Sequence, residues 1–338
     1  MGRPAVQVTV IGAGIAGLTT AWALAEAGAE VRVMERSAAL GALACSRYAG
    51  GMLAPWCEAE SADALVVALG QEALRYWPKV HAATVQRGSL VLAPGRDAPD
   101  LARFARRTER FQTLDADGIA ALEPDLAGRF RSGLFFPDEA HLDPRAVLPA
   151  LADALTARGV YFDFGRETDA DDPSLGIVAD CRGLAAQDRL ADLRGVKGEM
   201  LILRCPALTL SRPIRLLHPR FPLYIVPRGD GVFMLGATML ESGERNRVTA
   251  RSVVELLNAA YALHPAFAEA EILEMGADAR PAFPDNLPRL RPFGKQSLRV
   301  NGLYRHGFLL SPALARRAAD YLLHGTRSRE VMDENPGQ

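Results

Sequence analysis

The N-terminal part of the chain has the pattern of a complete nucleotide-binding βαβ unit. An apolar, β-branched run ends at Gly12, the spacing Gly12-x-Gly14-x-x-Gly17 opens a helical stretch, and a second strand ends at Glu35. In such a unit the first glycine allows a tight turn, the second leaves room for a pyrophosphate, and the third lets the helix lie close to the strand. Glu35, about 20 residues further on, is placed to accept the ribose hydroxyls of an adenosine. The unit predicts a dinucleotide-binding, Rossmann-like domain.

The uncharged stretch from Pro4 to Ala25 also shares features with a secretory signal, because it follows Arg3 and is largely apolar. Against this alternative, the stretch contains three glycines and several threonines. Its length is marginal for crossing a bilayer, and its first half is β-branched like a buried parallel strand. We therefore expect a cytoplasmic protein.

Charge and cysteine content restrict the classes of protein further. The 338-residue chain has 39 Lys and Arg against 40 Asp and Glu, a balance that gives no indication of nucleic-acid binding. Its length and its hydrophobic fraction of 49% suit two domains or one large α/β unit with an insertion. The four cysteines form no Cys-x-x-Cys pair, and no histidine lies three or four residues from another histidine or a cysteine. We therefore expect reduced thiols and no metal site, and we find no amphipathic segment typical of membrane binding.

Three later segments again place glycines beside strands or helices. Residues 45–55 are rich in Ser and Gly and can bring the Ser46 hydroxyl and backbone N–H groups to a pyrophosphate or a flat ring, although a tight surface turn is the alternative. The apolar strand predicted at 176–180 leads into a turn at Gly183. A strand ending near Gly302 and a turn at Gly307 precede a helix predicted over 312–324, which places a second helix N-terminus near the cofactor.

The remaining elements are read from hydrophobic periodicity and breakers. Helices are predicted over 62–77, where Pro78 ends the repeat, over 99–111, over 144–158 and over 250–263. Between residues 198 and 288 the pattern changes to alternating strands, at 199–203, 223–227 and 232–236, which predicts a mostly antiparallel sheet. The prolines of segment 280–288 predict a rigid loop.

Six short motifs follow one another along about residues 6–323. They are Gly12-x-Gly14-x-x-Gly17 with Glu35, Gly50-Gly51-Met52-Leu53-Ala54-Pro55, Tyr224-Ile-Val-Pro-Arg228, Gly236-Ala-Thr-Met239, Arg280-Pro-x-x-Pro-Asp285 and Tyr304-Arg305-x-Gly307. In this order and combination they resemble the D-amino acid oxidase family, and above all its glycine oxidase branch, which is associated with thiamine biosynthesis.

The resemblance implies an α/β fold with an α+β substrate part. A discontinuous Rossmann-like FAD-binding domain is expected over 1–80, 141–197 and 287–338, and an inserted, mostly antiparallel substrate-binding domain over 81–140 and 198–286. FAD is expected to be noncovalent, because no cysteine that could hold a flavin follows Cys205. The residues expected to bind the cofactor are Gly12, Gly14, Ile15, Ala16, Gly17, Glu35, Arg36, Ser46, Gly51, Met52, Cys181, Gly183, Arg305, His306, Gly307, Phe308 and Leu309.

For the catalytic site, the resemblance assigns the carboxylate-binding role to Arg280, a supporting role to Tyr224, a flavin- and substrate-facing position to Arg305 and a pocket-lining position to Met239. These residue types suit the chemistry. A guanidinium can hold a carboxylate with two parallel N–H bonds and so orient the substrate Cα–H toward the flavin N5. With the amine deprotonated, hydride transfer then requires no side-chain base.

Two of these roles, and the expected position of His306, have structural alternatives. Arg280 would otherwise form a buried salt bridge to Asp278 or Asp285, and Tyr224 would be an amphipathic residue at the edge of the core. His306 either lies against the flavin or serves as a backbone hydrogen-bonding residue in the turn.

The implied reaction is FAD-dependent oxidative deamination of glycine or another small amino acid, with hydride transfer from Cα to flavin N5, an imine product, and reduction of O2 to H2O2. Glycine is the first expectation. Sarcosine and small D-amino acids stay open, because Gly276-Ala-Asp-Ala and Leu303 depart from the family pattern. A flavin dehydrogenase with a non-oxygen acceptor and a non-catalytic flavin-binding protein are further alternatives. The implied partners are a thiazole synthase that receives iminoglycine and further copies of the chain in a homo-oligomer.

Overall fold

The computed structural model describes residues 5–217 and 223–333. Its strands are β1 (Gln7–Ile11), β2 (Glu30–Glu35), β3 (Met52–Leu53), β4 (Ser89–Leu92), β5 (Gln112–Asp115), β6 (Ser132–Phe136), β7 (Ala140–His141), β8 (Tyr161–Phe164), β9 (Ile177–Asp180), β10 (Arg194–Arg204), β11 (Ile214–Leu216), β12 (Leu223–Gly229), β13 (Val232–Gly236), β14 (Leu240–Glu241), β15 (Glu271–Ala282), β16 (Arg289–Phe293) and β17 (Ser297–Asn301).

The helices are α1 (Ile15–Glu26), α2 (Pro55–Glu58), α3 (Ala64–Val80), α4 (Ala98–Arg107), α5 (Ala116–Leu122), α6 (Pro144–Ala157), α7 (Ala250–Leu263) and α8 (Gly307–His324). None of the helices in the described part of the chain is long and apolar enough to span a membrane.

The first sheet has the strand order β16-β17-β9-β1-β2-β8. β1 pairs in parallel with β2 and β9, β2 pairs in parallel with β8, and β9 in parallel with β17, whereas β16 runs antiparallel to β17. Val8, Val10 and Ile11 of β1 are all buried, as expected for a central parallel strand that is covered on both faces. This is the Rossmann-like sheet that the N-terminal motif predicts.

Two helices, α1 and α8, lie against this sheet, and α3 and α6 pack against them to complete the larger hydrophobic core. α1, α3, α6 and α8 contribute apolar side chains such as Leu18, Trp77, Leu148 and Leu314, which are almost fully buried. α8 packs against both α1 and α3. The C-terminal helix therefore belongs to the same core as the first βαβ unit.

Three helices do not follow their predicted boundaries. α4 ends at Arg107 rather than at residue 111. α8 begins at Gly307 rather than at residue 312, and Pro312 lies inside it. A proline in a helix leaves the carbonyl four residues earlier without its backbone donor. Here that carbonyl, of Phe308, accepts a hydrogen bond from Trp77 Nε1 at 2.8 Å. Similarly, α3 continues to Val80 past Pro78, which lies in its last turn.

The second sheet has nine strands in the order β14-β10-β13-β12-β11-β4-β6-β5, with β15 paired along the other edge of β10. It is antiparallel except where β11 meets β4. Strands β4 to β6, from the first half of the chain, thus join strands from the predicted antiparallel segment. α7 covers one face, where Leu256 packs with Leu235 and Phe267.

The predicted loop at 280–288 is wrong at its start, because β15 extends to Ala282. Arg280 faces Val196 and Pro281 faces Gly195 in an antiparallel register. Pro281 fits a strand here because β15 borders only β10 among the described strands, and an edge strand tolerates a residue that lacks an N–H donor. Arg280 therefore projects from a paired strand.

One carboxyl group is buried where β6, β7 and α2 meet. Glu139 is 1% exposed, and its Oε1 accepts the Cys57 backbone N–H at 2.8 Å. Burial raises the pKa of Glu139 to about 7, because the backbone hydrogen bond only partly offsets the loss of water. In the folded protein Glu139 thus binds its proton more tightly than in the unfolded chain.

We therefore expect the free energy of unfolding to fall by up to about 3 kcal/mol as the pH rises from 5 to 8 through the pKa of Glu139, since the unfolded carboxyl ionises first. Glu139→Gln keeps an acceptor for Cys57 and should remove this part of the pH dependence. Urea unfolding at several pH values measures it, with exposed Glu109→Gln as the control. Parallel stability curves for the wild type and Glu139→Gln would contradict the expectation.

Candidate active site

The glycine-rich turn between β1 and α1 has little space for side chains. Gly12 has φ +99°, and a Cβ there would lie 2.7 Å from the Cys181 carbonyl oxygen. A Cβ on Gly17 would lie 1.8 Å from the carbonyl oxygen of Gly12. The first and third glycines are therefore required by the close approach of β1, α1 and the turn after β9.

Two buried side chains hold the entrance to α1. Ser46 Oγ accepts the Ile15 backbone N–H at 3.1 Å, and Glu35 Oε2 accepts the Ala13 N–H at 2.8 Å. Glu35 Oε1 accepts both the backbone N–H and the hydroxyl of Ser37. A carboxylate has about four lone-pair positions, so Glu35 can accept ribose hydroxyls as well. Ser46, expected to approach a pyrophosphate, also caps the first turn of α1.

A second helix N-terminus lies beside the first. α8 begins after His306, and no side chain caps it. A Cβ on Gly307 would lie 3.3 Å from Ile15 Cγ2, so the two helices start in direct proximity. Uncapped N–H groups and two positive dipole ends together favour an anionic or electron-rich group between them.

A single cavity of about 520 Å³ runs from this region to the second sheet. The predicted site residues that line it are Gly12, Gly14, Ile15, Ala16, Glu35, Arg36, Ser46, Gly51, Met52, Cys181, Gly183, Tyr224, Met239, Arg280, Arg305, His306, Gly307, Phe308 and Leu309. Gly17 is the exception, because it packs against the turn below the cavity. The tertiary structure thus brings together residues from nearly the whole length of the chain.

Arg280 lines this cavity and is half-buried. It forms no ion pair with an acidic side chain among the described residues. Its Nη1 donates to the carbonyl oxygen of Thr238 at 3.3 Å. The two carboxylates considered as salt-bridge partners are engaged elsewhere, Asp278 with Arg245 and Asp285 with Arg289. The guanidinium is therefore available for an anionic ligand.

Tyr224 lies in a narrow slot between two glycines. A Cβ on Gly236 would lie 2.5 Å from its Cζ, and a Cβ on Gly50 would lie 2.6 Å from its Cε2. Burial raises the pKa of Tyr224, although the charge of Arg280 opposes this effect. The phenol therefore stays protonated at neutral pH and can donate a hydrogen bond.

Arg305, in contrast to Arg280, is paired. Its Nη2 donates to Glu58 Oε2 at 2.6 Å, and His306 Nε2 lies 2.8 Å from the same oxygen. Arg215 Nη1 contacts Glu58 Oε1 at 3.2 Å. Burial lowers the pKa of His306, which favours the neutral imidazole in this contact with Glu58. We call Glu58, Arg215, Arg305 and His306 the Glu58 cluster.

The sequence interpretation missed Glu58 and Arg215. Glu58 lies just after the 50–55 motif, at the end of α2, and this proximity was the available signal. Arg215 lies on β11, and no local pattern distinguishes it. Burial would raise the pKa of Glu58, but the charges of Arg305 and Arg215 outweigh burial and hold it well below its usual range.

Met239 lies at the mouth of the cavity, with 48% of its surface exposed. Its Sδ is 3.5 Å from Tyr304 Oη and 3.6 Å from Arg305 Nη1. A neighbouring cavity of about 460 Å³ has acidic residues, including Glu60 and Asp63, in its wall. The residues that line both cavities, and therefore lie between them, are Arg215, Met239, Tyr304, Arg305 and His306.

The residues of the main cavity fit a flavin dinucleotide. The N-terminus of α1 and Glu35 suit its pyrophosphate and ribose, and the N-terminus of α8 suits the electron-rich edge of its ring. His306 Nδ1 is buried without a hydrogen-bond partner in the described structure, as expected for a polar atom that a bound group would satisfy. Among all residues that the structure describes, no group of three or more His, Cys, Asp or Glu side chains is placed to hold a metal ion.

A dinucleotide cleft that continues into an arginine-bearing cavity places the chain in the class of cofactor-dependent oxidoreductases. Over residues 7–321 the sequence matches the family described as FAD dependent oxidoreductase, DAO, and the chain belongs to that family. Its cofactor is FAD, and it is an FAD-dependent amine oxidase.

Two relatives and one solved structure illustrate what the chain is similar to. The chain is 54% identical, over 94% of its length and 97% of the relative, to a protein of Rhizobium etli assigned as the thiamine biosynthesis oxidoreductase ThiO. It is 29% identical to the bifunctional protein ThiO/ThiG of Synechocystis, matching 94% of this chain and 51% of that protein. The crystal structure of glycine oxidase from Geobacillus kaustophilus has the same fold, with a TM-score of 0.82 at 23% identity over 98% of this chain and 100% of that one.

The Glu58 cluster should make a measurable contribution to stability. We expect Glu58→Gln to lower the free energy of unfolding at pH 7 by about 3–5 kcal/mol, because two buried guanidinium groups lose their shared counter-charge. The loss should shrink in acid, as the pH falls through the lowered pKa of Glu58 and the wild type loses the same charge. Urea unfolding of the holoenzyme measures it. The control is Glu255→Gln, which removes a surface ion pair with Arg251 on α7; equal losses in both variants would contradict the prediction.

Proposed function

We propose that this amine oxidase oxidises glycine to iminoglycine and that the imine is used to build the thiazole of thiamine. The observation that carries the proposal is Arg280, a guanidinium without an acidic partner in the described structure, in the cavity that also contains the N-terminus of α8. The relationship to the ThiO proteins supports the thiamine assignment.

The first step is binding of the substrate carboxylate. Arg280 lines the cavity, and a planar guanidinium holds a carboxylate through two parallel bonds. The protonated phenol of Tyr224, which lines the same cavity, supplies a further donor. Two fixed donors define the direction of the short substrate, so that its Cα–H points into the cavity.

The second step requires that the substrate lose two electrons and a proton from Cα. FAD, when bound, accepts them as a hydride and passes the electrons to O2, which becomes H2O2. The substrate must arrive with a neutral amine, because its nitrogen lone pair forms the C=N bond as the hydride leaves. Glu58 cannot serve as the base that deprotonates the amine, since its charge is already shared by Arg215 and Arg305.

The charge balance of the cavity favours an anionic substrate. Glu58 neutralises only one of the two charges of Arg215 and Arg305, whereas Asp278 neutralises Arg245. Arg280 has no acidic partner among the described residues, and it is the cation that we assign to the amino-acid carboxylate. Sarcosine and small D-amino acids satisfy the same charge requirement and are the alternative substrates. They differ from glycine in the extra space they need, at the nitrogen for sarcosine and at Cα for the D-amino acids.

The product assignment follows from the chemistry of imines. Iminoglycine hydrolyses in water to glyoxylate and ammonia, so an enzyme that consumes it must receive it quickly. A ThiO unit joined to ThiG in one chain, as in the Synechocystis relative, is consistent with such a transfer. We propose a thiazole synthase as the partner of this chain.

The experiment that tests the substrate is anaerobic mixing of the holoenzyme with glycine, sarcosine, D-alanine and D-proline in turn. We expect glycine to bleach the oxidised-flavin absorbance fastest, and peroxide to form when air is readmitted. If a larger amino acid bleaches the flavin faster than glycine does, that amino acid and not glycine is the preferred substrate. Bleaching without peroxide would indicate an acceptor other than oxygen, and a flavin that none of them bleaches would refute the proposal.

Arg280→Met should retain FAD but raise the KM for glycine by about 10- to 150-fold, because a charged hydrogen-bonding pair is worth about 1.5–3 kcal/mol. Steady-state peroxide production measures the change. Arg251→Met, on the exposed face of α7, is the matched control. Unchanged kinetics in Arg280→Met would remove this arginine from the site.

A further inference from the structure

The position of the Arg280 guanidinium depends on a glycine of the neighbouring strand. Arg280 of β15 is paired with Val196 of β10, so Gly198 lies two residues further along β10 on the same face. A Cβ on Gly198 would lie 2.0 Å from Nη2, 2.4 Å from Cζ and 2.6 Å from Nη1 of Arg280. The guanidinium therefore occupies the space that any side chain at position 198 would fill.

The backbone does not explain the glycine at this position. Gly198 is not among the glycines with positive φ, so other residues can adopt its conformation. The three nearest atoms to its Cβ position all belong to the tip of one flexible side chain. Gly195 in the same strand is different, because its Cβ would meet the backbone of Gly243 at 2.6 Å. Gly195 is required by the fold, whereas Gly198 is required by the location of Arg280.

The Arg280 guanidinium has one hydrogen bond to the described residues. Nη1 of Arg280 donates to the carbonyl oxygen of Thr238. Thr238 is held by Glu199, which donates its backbone N–H to Thr238 Oγ1 at 3.0 Å and accepts the Thr238 N–H at 3.3 Å. Glu199 follows Gly198 in β10. The space beside Gly198 that holds the guanidinium, which we call the seat, and the Thr238 carbonyl that borders this space therefore belong to one hydrogen-bonded unit. Because Arg280 forms no ion pair with any of the described residues, the available space and its hydrogen bond to Thr238 determine where the guanidinium lies.

We propose that Gly198 is a positioning residue, which sets how deeply Arg280 lies against β10 and so the depth at which the substrate carboxylate binds. The inference rests on the proposed carboxylate-binding role of Arg280. In Gly198→Ala the guanidinium must move off β10 into the cavity, because the methyl group occupies its place. A displaced anchor shifts the carboxylate and the Cα–H with it, and misplacement on the order of 1 Å is enough to lose large factors in rate.

The first test is structural and does not depend on activity. Crystal structures of wild-type and Gly198→Ala holoenzymes are compared, and we expect an unchanged β10–β15 register with the Arg280 guanidinium displaced away from residue 198. Gly243→Ala is the matched control, since its Cβ meets nothing within 4 Å. A guanidinium that stays in place while the strands separate would overturn the proposal.

The second test measures binding with acetate as the carboxylate probe, followed by the perturbation of the flavin absorbance. We expect Gly198→Ala to weaken acetate binding and to raise the KM for glycine by about 10-fold or more, with FAD content unchanged. Gly243→Ala should match the wild type. An unchanged acetate affinity in Gly198→Ala, despite a displaced guanidinium, would overturn the proposal.

A double-mutant comparison separates positioning from general damage. Lysine at position 280 lacks Nη1 and Nη2, two of the three atoms that approach residue 198, so Gly198→Ala should have a smaller further effect on acetate binding in an Arg280→Lys background. Equal losses in both backgrounds would show that Gly198 acts through the fold instead. If wild-type protein binds neither acetate nor glycine, the proposed function fails, and the two crystal structures still report whether Gly198 seats Arg280.

Discussion

The antiparallel pairing of β10 with β15 is the interaction on which the site depends most. It aligns Arg194–Arg204 with Glu271–Ala282, and it places Gly198 and Arg280 on the same face of the sheet. Because side chains alternate between the two faces of a strand, a register shift of one residue would turn Arg280 away from the cavity. The irregularity in this pair lies between Ile202 and Leu203, beyond the part that forms the site. One strand register thus determines both the position of the proposed anion-binding group and the space that it occupies.

The cofactor side of the cavity depends on a different principle, the convergence of two helix N-termini. α1 begins where β1 ends, and α8 begins where the chain leaves the same sheet after β17. Their first residues, Ile15 and Gly307, lie against one another. Fixed backbone donors and helix dipoles therefore supply positive potential for FAD, and the charged side chains of Glu35 and Arg36 line the same part of the cavity. On the proposed substrate side, Glu58 offsets part of the charge of two arginines, and Arg280 has no acidic partner among the described residues.

Much of the fold could be read from local sequence. The βαβ unit with Gly12, Gly14 and Gly17 was predictable because strand, turn and helix are set by neighbouring residues. The antiparallel sheet was indicated by alternation between residues 198 and 288. Prolines were the main source of error. Pro312 lies inside α8 because Trp77, distant in sequence, satisfies the carbonyl that the proline leaves free, and Pro281 lies in a strand because that strand is at an edge.

By itself the sequence determined a Rossmann-like dinucleotide site and, through its resemblance to a known family, the identity of the residues to consider at the substrate site. Only the tertiary structure decided that Arg280 is free of Asp278 and Asp285, whereas Arg305 is paired with Glu58. Only the tertiary structure showed that Gly198 is the seat of the guanidinium. The physical reason is the range of the interactions. Turns and helix starts are governed by residues a few positions apart, but the partner of a charge and the space around a side chain are set by strands that meet only after the chain has folded.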